Sequence, residues 1–297
     1  MVYTLTLNPA LDYVMDVNNI EFGATNRSGN ESFSFGGKGI NVSVVLSRLG
    51  ISSVALGFVA GFTGERLIKE LENQGIETDF VKLGSGNTRV NVKLRSQGEI
   101  TEINAAGPEI SELDMQKLFS KLDVIKENDY LVLAGSVPVG LGNVYAEIMQ
   151  KLQGRGINFV LDTTGEQLLS ALRYKPYLIK PNRDELEQLL DICISTDEQI
   201  IQSAQKLKNM GAKNVLVSLG ESGAVLLDGE GRIHKSHSHK ITPENTVGAG
   251  DSMVAGFIAG QVKGYEFALK LGIAAGAATA ASKTLATKSE ILKLMDE

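Results

Sequence analysis

Apolar positions along this chain follow two rhythms that take turns. From Val2 to Leu7 they alternate with polar ones in strand fashion, and Asn8-Pro9 ends the run. Tyr13 to Val17 and Arg27 to Phe35 mix polar and apolar residues and read as strands of an exposed sheet. From Ile40 the spacing changes: Val42, Val44, Val45, Leu46 and Leu49 predict a helix that Gly50 stops. Val54 to Val59 predicts a buried strand, and Gly64 to Gln74 a helix with Leu67, Ile68 and Leu71 on one face. Thr88 to Arg95 then alternates strictly, Gln97-Gly98 makes a turn, and Glu99 to Asn104 alternates again. That predicts a hairpin with one wet face, carrying Arg89, Lys93 and Arg95 on one side.

Beyond Ile110 strands and helices succeed one another regularly. Ser111 opens a helix to Leu122, Tyr130 to Ala134 is a buried strand, and Gly135 to Pro138 is its exit turn. A helix to Gln153 leads to the strand Asn158 to Leu161 and the polar turn Asp162-Thr163-Thr164. Tyr177 to Glu185 repeats the pattern with Glu185 in the first turn of a helix, and the strand Asn214 to Val217 runs into Ser218 to Ala224. Apolar strands alternating with helices predict a parallel sheet whose strand exits collect ligands. The strands around Asp16 and Phe33 join the hairpin as a small inserted sheet of the kind that acts as a lid. After Asp251 two more helices rich in alanine and glycine close the body. No repeat is evident, and no linker is long enough to divide the chain.

Composition narrows the function classes. The chain has 297 residues, 43% hydrophobic and 22% charged, with a net charge of -6 and scattered lysines and arginines. That balance argues against nucleic acid and anionic membrane as main partners. Cys193 is the single cysteine, so no internal disulfide forms and a reducing compartment is expected. Among Leu189, Leu190, Ile192 and Ile194 it reads as a small buried hydrophobe. The start lacks the basic stretch of a signal peptide, and the tract Leu271 to Ala281 is too short to span a bilayer, so the expected location is cytoplasmic. His234, His237 and His239 lie in a polar run without a nearby carboxylate or cysteine, and read as an exposed strand or loop, not a metal site.

Two glycine-rich turns carry the candidate chemistry. Gly248-Ala249-Gly250-Asp251 precedes an apolar segment from Met253 to Val262, so a tight turn feeds a helix starting at about Gly248. Glycines leave amides unobstructed and a helix start leaves them unpaired, which together make an anion site. An aspartate repels an anion unless it does chemistry on it. Asp251 is therefore a candidate general base for a hydroxyl attacking a phosphoryl group, although Asp251 and Ser252 taken alone also suit ordinary helix capping. The second turn, Gly36-Gly37-Lys38-Gly39, is not a Walker A loop, since Gly39 replaces the Ser or Thr after Lys38. Nor is it a Rossmann fingerprint, because Val42 replaces the third glycine; Lys38 and Asn41 face whatever occupies the turn. Asp12, just beyond the first strand, lies where an open sheet gathers ligand contacts or else caps the turn after Pro9.

Taken in order, Gly36 to Ser43, Lys180-Pro181-Asn182-Arg183-Asp184-Glu185, Ser218 to Ala224 and Val247 to Ser252 make the whole chain resemble the PfkB (ribokinase-like) carbohydrate kinases. The resemblance implies an α/β fold: a three-layer α/β/α domain over 1–297, with a mainly parallel central sheet and lid strands inserted at about 12–35 and 88–104. It implies ATP and Mg2+ as cofactors, with Asp251 as base and Gly248, Ala249 and Gly250 as anion hole. Asn182 and Glu185 match the segment that positions magnesium and its waters, Glu185 through water. Ser218, Gly220 and Gly223 match the nucleotide loop, with Lys180 beside it. Asp12, Gly37, Lys38, Asn41 and Arg89 match sugar-phosphate contacts, and the lid forms a homodimer face in many members. Lys38 and Arg89 supply the cations a second, non-reacting phosphate requires. Members acting on fructose 6-phosphate carry arginine where this chain has Glu102 and glycine where it has Lys38. The expected acceptor is therefore fructose 1-phosphate at its C6 hydroxyl, with tagatose 6-phosphate or fructose 6-phosphate as alternatives and a non-catalytic phosphosugar sensor as the reading from another class.

Overall fold

The computed structural model describes residues 1–296; residue 297, the last of the expected domain, lies outside them. β1 (Val2–Thr6) enters the middle of a large sheet, and the chain leaves it at once through Asn8-Pro9 for β2 (Ala10–Asp16) and β3 (Asn30–Gly36). α1 (Lys38–Leu49) brings it back, ending where Gly50 turns left-handed, and feeds β4 (Ser53–Ala60) and α2 (Gly61–Asn73). The short strands β5 (Glu77–Thr78) and β6 (Val81–Leu83) both pair with β4, and the hairpin β7 (Arg89–Ser96) and β8 (Glu99–Ile103) departs again.

The rest is wound regularly. α3 (Glu112–Leu122) opens on a capping box between Ser111 and Asp114 and leads to β9 (Tyr130–Ala134). α4 (Val144–Lys151), β10 (Asn158–Asp162), α5 (Gly165–Leu172) and β11 (Leu178–Ile179) follow. α6 (Arg183–Leu190) and α7 (Asp197–Asn209), each with its own capping box, precede β12 (Asn214–Ser218). β13 (Ala224–Leu227) and β14 (Ile233–Ser236) close that edge, and α8 (Ala249–Gly260), α9 (Tyr265–Ala280) and α10 (Lys288–Asp296) complete the chain.

The large sheet runs β14-β13-β12-β11-β10-β9-β1-β4-β5, parallel from β12 to β5 with β13 and β14 antiparallel at the edge. Strand alternation sorts the core into two layers. Leu131 and Leu133 of β9 face Leu118, Ile148 and Leu168, whereas Val132 and Ala134 between them face Val42, Val254 and Ala274. The result is a three-layer α/β/α body. The alanine- and glycine-rich pair is α8 and α9, which cross so closely that a Cβ on Gly256 would lie 2.6 Å from the Leu271 carbonyl oxygen. α10 departs from the expected small-residue composition and carries charge.

A second sheet, β3-β2-β7-β8, stands apart from the first. β2 and β7 pair in parallel, with Asp12 opposite Asn91 and Val14 opposite Lys93. One face of it carries Asp12, Asn91, Lys93 and Glu102; the other carries Tyr13, Phe33, Val92 and Ile103. Tyr13 and Phe33 stack at 4.4 Å, and Phe33 is 64% exposed.

Two expectations are corrected. Cys193 is exposed, not buried. α6 ends on the left-handed Asp191, and the Ile192 and Ile194 amides then bond the Glu187 carbonyl and carboxylate. Ile194 and Ile192 pack inward, so the residue between them points out. His234 does have a carboxylate partner: its Nε2 lies 2.8 Å from the buried Asp228, across the β13–β14 turn. Among the described residues no helix is long and apolar enough to cross a membrane.

Candidate active site

Each residue to which the sequence resemblance gives a catalytic, sugar-phosphate, nucleotide or magnesium role lines one cleft of about 1810 Å³ between the parallel strand exits and the small sheet. Gly248 makes the turn into α8: its φ of 82° is left-handed, and a Cβ there would lie 2.6 Å from Leu285 Cδ2. No side chain caps this helix. The Ala249 amide donates to the Thr246 carbonyl at 3.3 Å, while the amides of Gly250 and Asp251 have no backbone acceptor among the described residues. An uncapped helix start of this kind attracts anions.

Asp251, in the first turn of α8, is 5% exposed and accepts a 2.7 Å hydrogen bond on Oδ2 from Asn41 Nδ2. Asn41 reaches it because Gly36-Gly37 place the start of α1 against the same strand exits. Gly37 has a φ of 131°, its position would bring a Cβ to 2.7 Å from Thr6 Cγ2, and Thr6 Oγ1 accepts from the Ile40 amide. Burial, helped by the charge of Asp162, pushes the Asp251 carboxyl up to about 7; Asn41, Lys38 and Lys180 act in the other direction. A carboxyl that titrates near neutrality inside a cleft is suited to take a proton from an alcohol.

Asp162 is the residue that sequence reasoning missed. It is the last residue of β10 and is 2% exposed, and its Oδ1 accepts from Lys38 Nζ at 3.1 Å and pairs with Lys180 Nζ at 3.4 Å. Burial alone would raise its pKa, but the two ammonium groups hold it below the ordinary carboxylate range. Lys38 loses to burial and gains more from Asp162, Asp251 and Glu185, so its own pKa rises. Lys180 Nζ lies 3.1 Å from where a Cβ of Gly250 would stand, which puts this ammonium at the open helix start.

Asn182 and Glu185 form a reciprocal capping box on α6: Asn182 Oδ1 accepts from the Glu185 amide at 2.7 Å, and Glu185 Oε2 from the Asn182 amide at 2.8 Å. A bridge between Asn182 and Ser218 brings the α6 start beside the turn Gly220–Ser222, which Gly223 ends. Asp162 Oδ2 is buried without a hydrogen-bond partner. Asp162 and Glu185 both line the cleft, and this orphaned oxygen together with the Glu185 carboxylate would suit a hard divalent cation that keeps most of its water.

The acceptor side gathers on the small sheet. Asp12 Oδ2 pairs with Lys93 Nζ at 2.9 Å and its Oδ1 accepts from Asn91 Nδ2 at 2.9 Å. Lys93 also lies 3.7 Å from Glu102. Arg89 Nε donates to the Asn8 carbonyl at 3.1 Å. Asp12 therefore belongs to a strand and is no turn cap. Lys38 is grouped with Asp162, whereas Arg89 and Lys93 are grouped around Asp12.

By fold and site the protein is a ribokinase-like phosphotransferase with an alcohol acceptor. The model of the pfkB family carbohydrate kinases matches residues 5–292, and the chain belongs to that family. It is 41% identical over its whole length to a 1-phosphofructokinase of Bacillus subtilis, covering 98% of that protein. It is 37% identical over 98% of its length to a D-tagatose-1-phosphate kinase of Bacillus licheniformis, covering 96% of that relative. The structure of phosphofructokinase-2 from Escherichia coli in complex with substrates and products superposes with a TM-score of 0.93 at 30% identity, covering 99% of this chain and 98% of that one.

Proposed function

We propose that the protein transfers the γ-phosphoryl group of ATP to the C6 hydroxyl of fructose 1-phosphate, giving fructose 1,6-bisphosphate. The observation that carries the chemistry is Asp251, a buried carboxylate oriented by Asn41 at an uncapped helix start and flanked by lysines. Asp251 takes the hydroxyl proton as the oxygen attacks in line. The amides of Gly248, Ala249 and Gly250, with Lys180 and Lys38, meet the charge on the transferred group. Asp162, and Glu185 through water, would hold magnesium, which would supply charge neutralisation at the phosphates. Ser218, Gly220, Gly223 and Asn182 border the nucleotide, and Asp12, Gly37, Asn41 and Arg89 border the sugar phosphate.

The whole chain forms one domain in this reading, with its lid at 12–35 and 88–104. Closure of that sheet excludes water from the transfer. The exposed apolar face with Phe33 and Ile103 supports pairing with a second copy. The single cysteine supports a cytoplasmic setting.

Fructose 1-phosphate is preferred because the 1-phosphofructokinase relative has the higher identity of the two and because Glu102 stands beside Lys93. The tagatose phosphate relative supports a second reading in which tagatose 6-phosphate or tagatose 1-phosphate is the acceptor. The test is ADP release with magnesium and ATP and equal concentrations of fructose 1-phosphate, fructose 6-phosphate, tagatose 1-phosphate and tagatose 6-phosphate. Fructose 1-phosphate should give the highest kcat/KM, and a higher value for either tagatose phosphate would replace it. Arg89→Ala should raise KM for the preferred phosphosugar on the order of tenfold or more while leaving KM for ATP within about twofold. Equal losses for both substrates would move Arg89 out of the acceptor site.

A further inference from the structure

Two buried hydroxyls behind the helix start have no part in the chemistry described above. Ser252 and Thr279 are both 0% exposed, and neither lines the cleft. Ser252 Oγ lies 2.8 Å from the Gly248 carbonyl oxygen and 2.8 Å from Thr279 Oγ1, which accepts from the Ala286 amide at 3.1 Å. Each hydroxyl has one proton to give. A carbonyl has none, so the Ser252 proton points at Gly248. The Ser252–Thr279 contact must then use the Thr279 proton. The chain has a single direction: Ala286 N–H to Thr279 O–H to Ser252 O–H to the Gly248 carbonyl.

That carbonyl shares a rigid planar peptide unit with the Ala249 amide. Whatever fixes the direction of the carbonyl, which also accepts from the Ser252 amide at 2.9 Å, fixes the opposite direction of the amide, which donates to the Thr246 carbonyl at 3.3 Å and so holds the turn at the helix start. The far end of the relay is anchored as well. Ala286 belongs to a segment whose Leu285 and Ala286 carbonyls both accept from the Arg48 guanidinium of α1, the latter at 3.1 Å. Leu285 closes over Gly248, and Lys283, Thr284 and Leu285 line the cleft.

We infer that Thr279, acting through Ser252, is a positioning residue that sets the Gly248–Ala249 peptide for the transferred phosphoryl group. The inference rests on the proposed role of that turn. The opposing reading is ordinary packing, since a serine commonly bonds the carbonyl four residues back in its own helix. The two differ in what the hydroxyl of Thr279 does, apart from its shape.

The experiment compares Thr279→Val, which keeps the shape and removes the hydroxyl, with Thr279→Ser, which keeps the hydroxyl. Steady-state kinetics and thermal melts are measured on the full chain. Thr279→Val should lower kcat on the order of tenfold with KM for ATP and phosphosugar within about twofold, and Thr279→Ser should stay within about twofold of the parent in kcat. Equal impairment of both variants, or unchanged kcat in Thr279→Val, would overturn the relay. Should Thr279→Val not fold, Ser252→Ala carries the same test: the same fall in kcat at unchanged KM supports the relay, and unchanged kcat overturns it. Asp251→Asn run alongside separates the layers of the argument. If it retains activity the base assignment has failed, whereas an inactive Asp251→Asn beside an unimpaired Thr279→Val sinks the relay alone.

Discussion

Asp251→Asn should keep ATP affinity within a few-fold and lose on the order of a hundredfold or more in turnover. Asparagine preserves the shape and the contact with Asn41 but cannot accept the hydroxyl proton. A variant within a few-fold of the parent would remove Asp251 from the mechanism. The parent's kcat/KM should fall on the acid side with a midpoint near pH 7, because the free protein holds this carboxyl at about 7. Stability provides an independent check. The folded pKa lies above the unfolded value of 3.8, so the contribution of this group is fully present below about pH 3.8 and is lost progressively as pH rises to about 7. Asp251→Asn should accordingly raise Tm relative to the parent at pH 8 and by much less near pH 4. The opposite ordering would mean that the carboxylate is stabilised, not penalised, by its surroundings.

Asp162→Asn should damage both folding and turnover. Lys180 is 5% exposed at its side chain and would lose its anionic partner, and breaking a buried ion pair typically costs about 3 kcal/mol or more. A thermal melt of the variant should therefore come well below the parent. Turnover should fall as Lys38 and Lys180 lose the negative charge that holds them together. The pH profile has a definite sign: Asp162 raises the Asp251 pKa, so its removal should move the acid limb to lower pH. An upward move, or an unchanged melt, would show that the two carboxyls do not share an electrostatic site.

The parts of the molecule that were legible in the sequence are those governed by neighbours in sequence. Ser111 with Asp114, Gly50 after Leu49, the Gln97-Gly98 turn and the Gly248 start each depend on a few adjacent residues. Asp162 looked like turn chemistry because its meaning depends on Lys38, which lies 124 positions away and meets it only where strand exits converge. The two-sided role of Lys93 was hidden for a similar reason. Its strand pairs in parallel with β2, so Asp12 becomes its partner through a register no local pattern specifies. Cys193 failed differently: neighbouring apolar residues suggested burial, but a left-handed residue at Asp191 changed which of them face inward.

The Asn41–Asp251 hydrogen bond spans 210 positions of sequence. During synthesis from the N-terminus, most of the chain has been made before the carboxylate exists, and α9 must still follow to pack against α8. Most of the large sheet can assemble on residues that precede Asp251, whereas the base cannot be oriented until the C-terminal helices arrive. In refolding the same separation places recovery of activity after recovery of most secondary structure, so a partly folded chain is a sheet without a working centre.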